Sequence, residues 1–170
     1  IRQETSRHTK LIAEIIKRKF KKDYYSWSEQ EKIGFLSKKI REKNFINSFK
    51  FKDKENLEVW STFKALSSQP KECLGAYIIS MTSSASDILS VMLLQKEANI
   101  KHKLRVVPLF ETLDDLINGS KIMSSLFKQK WYRNMINHEQ EIMIGYSDSS
   151  KDAGKPVSYT HLTLPTNVAV

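Results

Sequence analysis

Apolar residues recur at three- and four-residue steps in three segments of the first 70 residues, and this period predicts three amphipathic helices. The first helix is predicted over residues 5–21, from a stripe formed by Leu11, Ile12, Ile15, Ile16 and Phe20. Ser28, followed three residues later by Glu31, predicts a capping box at the start of the second helix. The third helix is closed by Pro70 and carries a stripe spaced by Leu57, Trp60, Phe63 and Leu66.

The pattern changes at Leu74, after which short apolar runs alternate with helical segments. Runs near residues 76–81, 105–111 and 141–147 have the composition of strands in a parallel sheet that is covered on both faces. The segments between them are long enough for helical crossovers. The repeats predict a helix-rich α/β protein with a parallel sheet, either open or closed into a barrel.

Charge and composition narrow the partners that the chain is expected to bind. The 170 residues carry a formal net charge of +9, from 28 Lys and Arg against 19 Asp and Glu. The cations are mostly scattered lysines, whereas nucleic-acid grooves more often cluster Arg with aromatic residues, so no nucleic-acid partner is expected. The longest uncharged stretch of the main body, from Cys73 to Ser86, is 14 residues, which is short of the ~20 that a membrane span needs.

The cysteine content and the start of the chain predict its compartment. Cys73 is the single cysteine, so no intrachain disulfide is possible. The chain begins with Ile1 and has no signal-peptide pattern. We therefore expect a reducing, cytoplasmic location.

Two carboxylates follow predicted strands at the end where α/β proteins place their chemistry. Glu111 ends the second run and Asp148 ends the third. Because the carboxyl ends of parallel strands meet at one edge, both side chains could converge there as hard oxygen ligands for Mg²⁺ or Mn²⁺. The alternative is that each acid only caps the helix that follows its strand.

Other candidate ligand-binding residues are isolated. Lys151 lies in a loop rich in Gly and Ser, residues 145–154, where a lysine can neutralise a phosphate or carboxylate. Arg2 could bind an oxyanion. His8, near the start of the first helix, is expected to be a surface or capping residue.

Five blocks of the sequence, taken in order, closely resemble those of phosphoenolpyruvate carboxylases. The blocks are residues 1–9, 76–81 with 86–89, 108–116, 131–133 and 143–154. The resemblance runs from residue 1 to about 154, is looser between 43 and 70, and corresponds to an internal slice of a much longer enzyme.

The resemblance implies a largely helical protein built around a (β/α)₈ barrel, a TIM-like fold. Such an enzyme converts phosphoenolpyruvate and bicarbonate to oxaloacetate and phosphate with Mg²⁺ or Mn²⁺. By position in the blocks, Glu111 and Asp148 correspond to the metal ligands, Arg2 to the arginine that holds the substrate phosphate, and Lys151 to a lysine on the bicarbonate side. For the full-length enzyme the resemblance also implies a homo-oligomer, a tetramer.

The resemblance also implies what lies outside the chain. The catalytic histidine of the family would lie upstream of Ile1, and its glycine- and arginine-rich loop downstream of Gly154, so the isolated chain is expected to be inactive. Residues 156–170 depart from the family pattern and look like a translated sequencing adaptor. We therefore expect a partial barrel domain over residues 1–155 and a non-native, disordered tail over 156–170, in which His161 is not a ligand.

Two other interpretations of the residues stay open beside this one. The chain could belong to another Mg²⁺-dependent barrel enzyme that acts on a phosphorylated or enolisable acid. It could also be a basic helical binding module without enzymatic activity, in which the strand-end acids are structural.

Overall fold

The computed structural model describes residues 1–42, 45–46 and 49–145 of the chain. Its helices are α1 (Thr5–Phe20), α2 (Glu29–Arg41), α3 (Lys54–Ser67), α4 (Ala85–Glu97), α5 (Leu113–Phe127) and α6 (Lys130–Met135). Its strands are β1 (Arg2–Glu4), β2 (Ala76–Ser80), β3 (Arg105–Phe110) and β4 (Met143–Ile144). Two short 3₁₀ turns, Tyr24–Ser26 and Lys71–Cys73, complete the regular structure of the described residues.

The four strands form one parallel sheet in the order β1-β2-β3-β4. Strands β2, β3 and β4 lie within the predicted runs, and their parallel pairing is confirmed. Residues 146 and 147 of the third run lie outside the described residues. Strand β1 was not predicted, and it pairs in parallel with β2 through Arg2 opposite Ile78. The fold is therefore α/β, with helices connecting successive parallel strands.

The three predicted helices at the beginning of the chain are present. At the start of α2 the capping box is complete, because Ser28 Oγ accepts from the Glu31 backbone N–H at 3.3 Å and Glu31 accepts from that of Ser28 at 2.8 Å. The predicted stripe of α3 is wrong at Leu57, which is 50% exposed. Val59 is buried instead, and Leu57 lies two residues earlier, a separation that places it on another side of a helix with 3.6 residues per turn.

One contiguous hydrophobic core joins the sheet to helices α1–α6. On β2 the side chains of Tyr77 and Ile79 are fully buried, and they face the same side of the sheet because they are two residues apart. Helix α4 is buried along almost its whole length, which places it at the centre of the helical layer. None of the helices in the described part of the chain is long and apolar enough to cross a membrane.

Candidate functional site

Arg2 and Glu111 meet at the end of the sheet, across the intervening strand β2. Arg2 Nη2 lies 2.8 Å from Glu111 Oε1 in a charge-assisted hydrogen bond. The strand register explains why both side chains lie on one face of the sheet: Arg2 is opposite Ile78, and Ile78 is opposite Val107. Glu111 lies four residues after Val107, and the period of two along a strand therefore directs its side chain to the same face.

The backbone of Glu111 is held by the first turn of α5. Asp115 Oδ2 accepts hydrogen bonds from the backbone N–H groups of Glu111, at 3.1 Å, and Thr112, at 3.0 Å. Thr112 Oγ1 accepts in return from the Asp115 backbone N–H at 3.1 Å. The capping of α5 is thus carried out by Thr112 and Asp115, so the alternative in which the Glu111 side chain only caps the next helix is wrong.

The glycine that follows β4 lies directly against Glu111. Its backbone N–H donates to the carbonyl oxygen of Phe110 at 3.0 Å, which continues the parallel pairing of β3 with β4. A Cβ atom on Gly145 would lie only 3.0 Å from Glu111 Cγ. The two chain segments therefore approach closely beside the Glu111 side chain, which extends from here to Arg2.

The Arg2–Glu111 contact brings together two carboxylate oxygens, which accept hydrogen bonds, and a guanidinium with five N–H donors. The Glu111 side chain is 13% exposed and that of Arg2 is 57% exposed, so the carboxylate is sheltered and the guanidinium faces solvent. No described residue donates a hydrogen bond to Glu111 Oε2. A sheltered carboxylate oxygen that no described residue contacts as a donor fits one ligand position of a hard divalent cation.

The other predicted site residues lie outside the described residues. Asp148 and Lys151 fall in the segment 146–170, and the structure neither brings them to Arg2 and Glu111 nor separates them. Within the described ranges no group of three or more His, Cys, Asp and Glu side chains could hold a metal ion. Among the described residues, Glu111 is therefore the only predicted metal ligand.

His8 is not at the surface and does not cap α1, so this prediction is wrong. Its side chain is fully buried and its ring packs edge-on against Tyr77 and Phe63, with centroid distances of 5.5 and 6.2 Å. The physical reason is helical period: His8 lies three and four residues before Leu11 and Ile12, so it extends the apolar stripe of α1. That spacing is the signal that could have identified it.

A buried hydrogen-bond relay ties α1 to β1 through β2. The Tyr77 hydroxyl donates to Gln3 Oε1 at 2.8 Å, and His8 Nε2 lies 2.8 Å from the same hydroxyl. Because the single hydroxyl proton points at Gln3, His8 Nε2 carries a proton and donates it. Gln3 is the neighbour of Arg2, so the relay anchors the strand that presents the guanidinium. Sequence reasoning missed it, because its members are separated along the chain.

The His8 relay makes the stability of the protein depend on pH. Burial, with the charge of Arg7 as a smaller cause, lowers the pKa of His8 from 6.5 to about 3. The folded state keeps the ring neutral, whereas the unfolded chain binds a proton below pH 6.5. The free energy of unfolding should therefore fall as pH decreases from 6.5 towards 3, by about 1.4 kcal/mol per pH unit from this group.

Urea denaturation of the wild type and of His8→Gln between pH 7 and 3.5 measures this contribution as the difference between the two slopes. The matched control is His102→Gln, which removes a histidine that is exposed. Equal slopes for the wild type and His8→Gln would contradict the assignment of a neutral buried His8.

Comparisons with known proteins show which family the sequence matches. The sequence model of the phosphoenolpyruvate carboxylase family matches residues 1–161. The phosphoenolpyruvate carboxylase of Shewanella sediminis is 46% identical over 155 residues, which are 91% of this chain and 18% of that protein. The C4 phosphoenolpyruvate carboxylase of Flaveria trinervia is 47% identical over 156 residues, which are 91% of this chain and 16% of that protein. The chain thus spans less than a fifth of the length of these relatives.

Proposed function

Since the chain belongs to the phosphoenolpyruvate carboxylase family, we propose that it forms part of an enzyme that converts phosphoenolpyruvate and bicarbonate to oxaloacetate and phosphate. The observation that carries the proposal is the pairing of Arg2 with Glu111 at the end of the parallel sheet. These two residues come from different blocks of the resemblance, and they meet where α/β folds place their reactive groups.

The proposed architecture around this edge is a (β/α)₈ barrel. Four parallel strands in sequential order, each joined to the next through helices, are what a part of such a barrel contains. In the described residues β1 pairs with β2 alone and β4 with β3 alone, so both outer edges are open to further strands. The enzyme as a whole is proposed to be a cytoplasmic homo-oligomer, a tetramer as the resemblance implies.

In this proposal Arg2 binds the phosphate of the substrate. One N–H of its guanidinium donates to Glu111, the side chain is largely exposed, and no other described residue accepts from it. The remaining donors of Arg2 match the paired bonds that phosphate oxygens accept. Its charge also offsets the negative charge that develops as bicarbonate attacks the phosphoryl group. Lys151 is proposed to hold bicarbonate.

Glu111 and Asp148 are proposed as ligands of a Mg²⁺ or Mn²⁺ ion. A bound divalent cation would supply positive charge that stabilises substrate oxygens as the enolate forms. Glu111 is suited to this role because its backbone is fixed by Asp115 and its Oε2 faces no described donor. The preorganised carboxylate then needs little rearrangement to accept the ion.

The function is tested in a chimera, in which the aligned 155-residue segment of the Shewanella sediminis protein is replaced by the matching residues of this chain. We expect oxaloacetate formation that requires phosphoenolpyruvate and bicarbonate, with one phosphate released per oxaloacetate. The same exchange is made in the Flaveria trinervia protein, so that a failure caused by a poor fit between this chain and one host can be recognised. Folded chimeras in both hosts that form no oxaloacetate, while the parents do, would overturn the proposal.

The proposed domain organisation is a partial barrel domain over residues 1–155 and a tail without selected contacts over residues 156–170. Removing the tail should therefore change the free energy of unfolding by no more than about 0.5 kcal/mol, as expected for changes away from the packed structure. Urea denaturation of the full chain and of residues 1–155 measures the difference. If removing the tail lowered the free energy of unfolding by much more than this, the tail would be part of the folded domain. The family match, which extends to residue 161, makes that outcome worth testing.

A further inference from the structure

Gly145 is one of two described glycines at which a side chain would be crowded. At the other, Gly119, a Cβ atom would meet the Phe110 ring at 3.1 Å, whereas at Gly145 it would meet the candidate site. A Cβ atom would lie 3.0 Å from Glu111 Cγ and 3.4 Å from both Cα and Cβ of Glu111. At Gly34 and Gly75 a Cβ atom would meet nothing within 4 Å. The backbone angle φ of Gly145 lies outside the left-handed region that favours glycine. The need at position 145 is therefore for space and not for backbone freedom.

Neither backbone next to this contact is free to move away. The Gly145 N–H is bonded to the Phe110 carbonyl oxygen at 3.0 Å, and the Glu111 N–H to Asp115 Oδ2 at 3.1 Å. Displacing either segment would break a hydrogen bond in a part-buried setting. The crowding from a methyl group at position 145 would thus fall on the Glu111 side chain, at the methylene that carries the carboxylate.

We propose that Gly145 is a positioning residue, whose missing side chain leaves the space in which Glu111 directs its carboxylate to Arg2 and to the proposed cation. Atom Cγ sets the direction of both carboxylate oxygens, so a shift there moves the oxygen that lies 2.8 Å from Arg2 Nη2. The part that concerns the cation rests on the proposed function. The part that concerns the Glu111 rotamer does not.

The first test is Gly145→Ala in the chimera, with Gly75→Ala as the matched control. We expect Mn²⁺, titrated by the electron paramagnetic resonance signal of the free ion, to bind about 10- to 100-fold more weakly in Gly145→Ala, the range typical for residues that orient metal ligands. Gly75→Ala should bind Mn²⁺ as the unsubstituted chimera does. Unchanged Mn²⁺ affinity in a folded Gly145→Ala chimera, together with loss of Mn²⁺ binding in Glu111→Gln, would overturn the inference and leave the proposed function standing.

The second test does not depend on metal or activity. In a crystal structure of the Gly145→Ala chimera we expect the nearest distance between the Arg2 and Glu111 side chains to exceed 3.5 Å, and a distance still near 2.8 Å would overturn the inference. If crystals or a stable variant are not obtained, a double-mutant cycle in the isolated chain answers the same question. Gly145→Ala should lower the urea midpoint when residue 111 is Glu, and much less when Glu111→Ala removes Cγ. Equal shifts in both backgrounds would contradict a contact with Glu111.

Discussion

Glu111→Gln in the chimera is expected to lower kcat for oxaloacetate formation by roughly 100-fold or more and to weaken Mn²⁺ binding, since it replaces one of two proposed anionic ligands by a neutral amide of the same size. The enzyme should remain folded. The ion pair with Arg2 contributes at most about 1 kcal/mol to stability, because the Arg2 side chain is largely in contact with solvent. Asp148→Asn is expected to have the same effect on activity and on Mn²⁺ binding.

The chain offers a matched control for Glu111→Gln at the opposite end of β3. Arg105 at the first position of that strand pairs with Glu141 at 3.2 Å, in a more exposed ion pair between the same residue types. Glu141→Gln should leave kcat and Mn²⁺ affinity unchanged. If Glu111→Gln kept near-normal kcat at low Mg²⁺, the role of Glu111 as a ligand would have to be abandoned.

The elements that are long or strongly periodic could be predicted from sequence. Helix α1 is marked by its stripe, α2 by the box of Ser28 and Glu31, and β2 and β3 by apolar runs bounded by turns. These signals act between neighbours in the chain, and a single sequence contains all of them. Parallel pairing could also be predicted, because crossovers with room for a helix leave few other arrangements.

Strand β1 could not be predicted in this way. It has three residues, too few for a period to show, and it is a strand only because Arg2 pairs with Ile78 of the distant strand β2. The errors at Leu57 and His8 have a related origin. Which face of a helix is buried is decided by the neighbours that pack on it, and α3 presents Val59 where the spacing favoured Leu57.

The candidate site was foreseeable in its residue types and not in its geometry. A carboxylate at a strand end and an arginine in a matching block pointed to one edge of the sheet. That the two lie within hydrogen-bond distance depends on the strand order and on the register that puts both side chains on one face, which are properties of the assembled sheet. The crowding between Gly145 and Glu111 likewise needs the pairing of β3 with β4.

Arg2→Gln in the chimera is expected to reduce kcat/KM for phosphoenolpyruvate by about 10²- to 10³-fold, the loss typical when one preorganised charge-stabilising donor is removed. Arg2→Lys should recover only part of it, because lysine keeps the charge and loses the planar fork that binds two phosphate oxygens at once. Steady-state kinetics with varied phosphoenolpyruvate, at saturating bicarbonate and Mg²⁺, measure kcat and KM separately.

The control for Arg2 is Arg105, whose side chain is 68% exposed and also paired to a glutamate. Arg105→Gln should leave kcat/KM for phosphoenolpyruvate unchanged, since its ion pair lies at the other end of the strand from Glu111. Inorganic phosphate, as a competitive inhibitor, should lose affinity in Arg2→Gln and keep it in Arg105→Gln. Because Arg2→Gln leaves the Glu111 carboxylate without its ion pair but intact, Mn²⁺ affinity should be retained. If the affinities for inorganic phosphate and for Mn²⁺ fell together, Arg2 would act by holding Glu111 and not by binding phosphate.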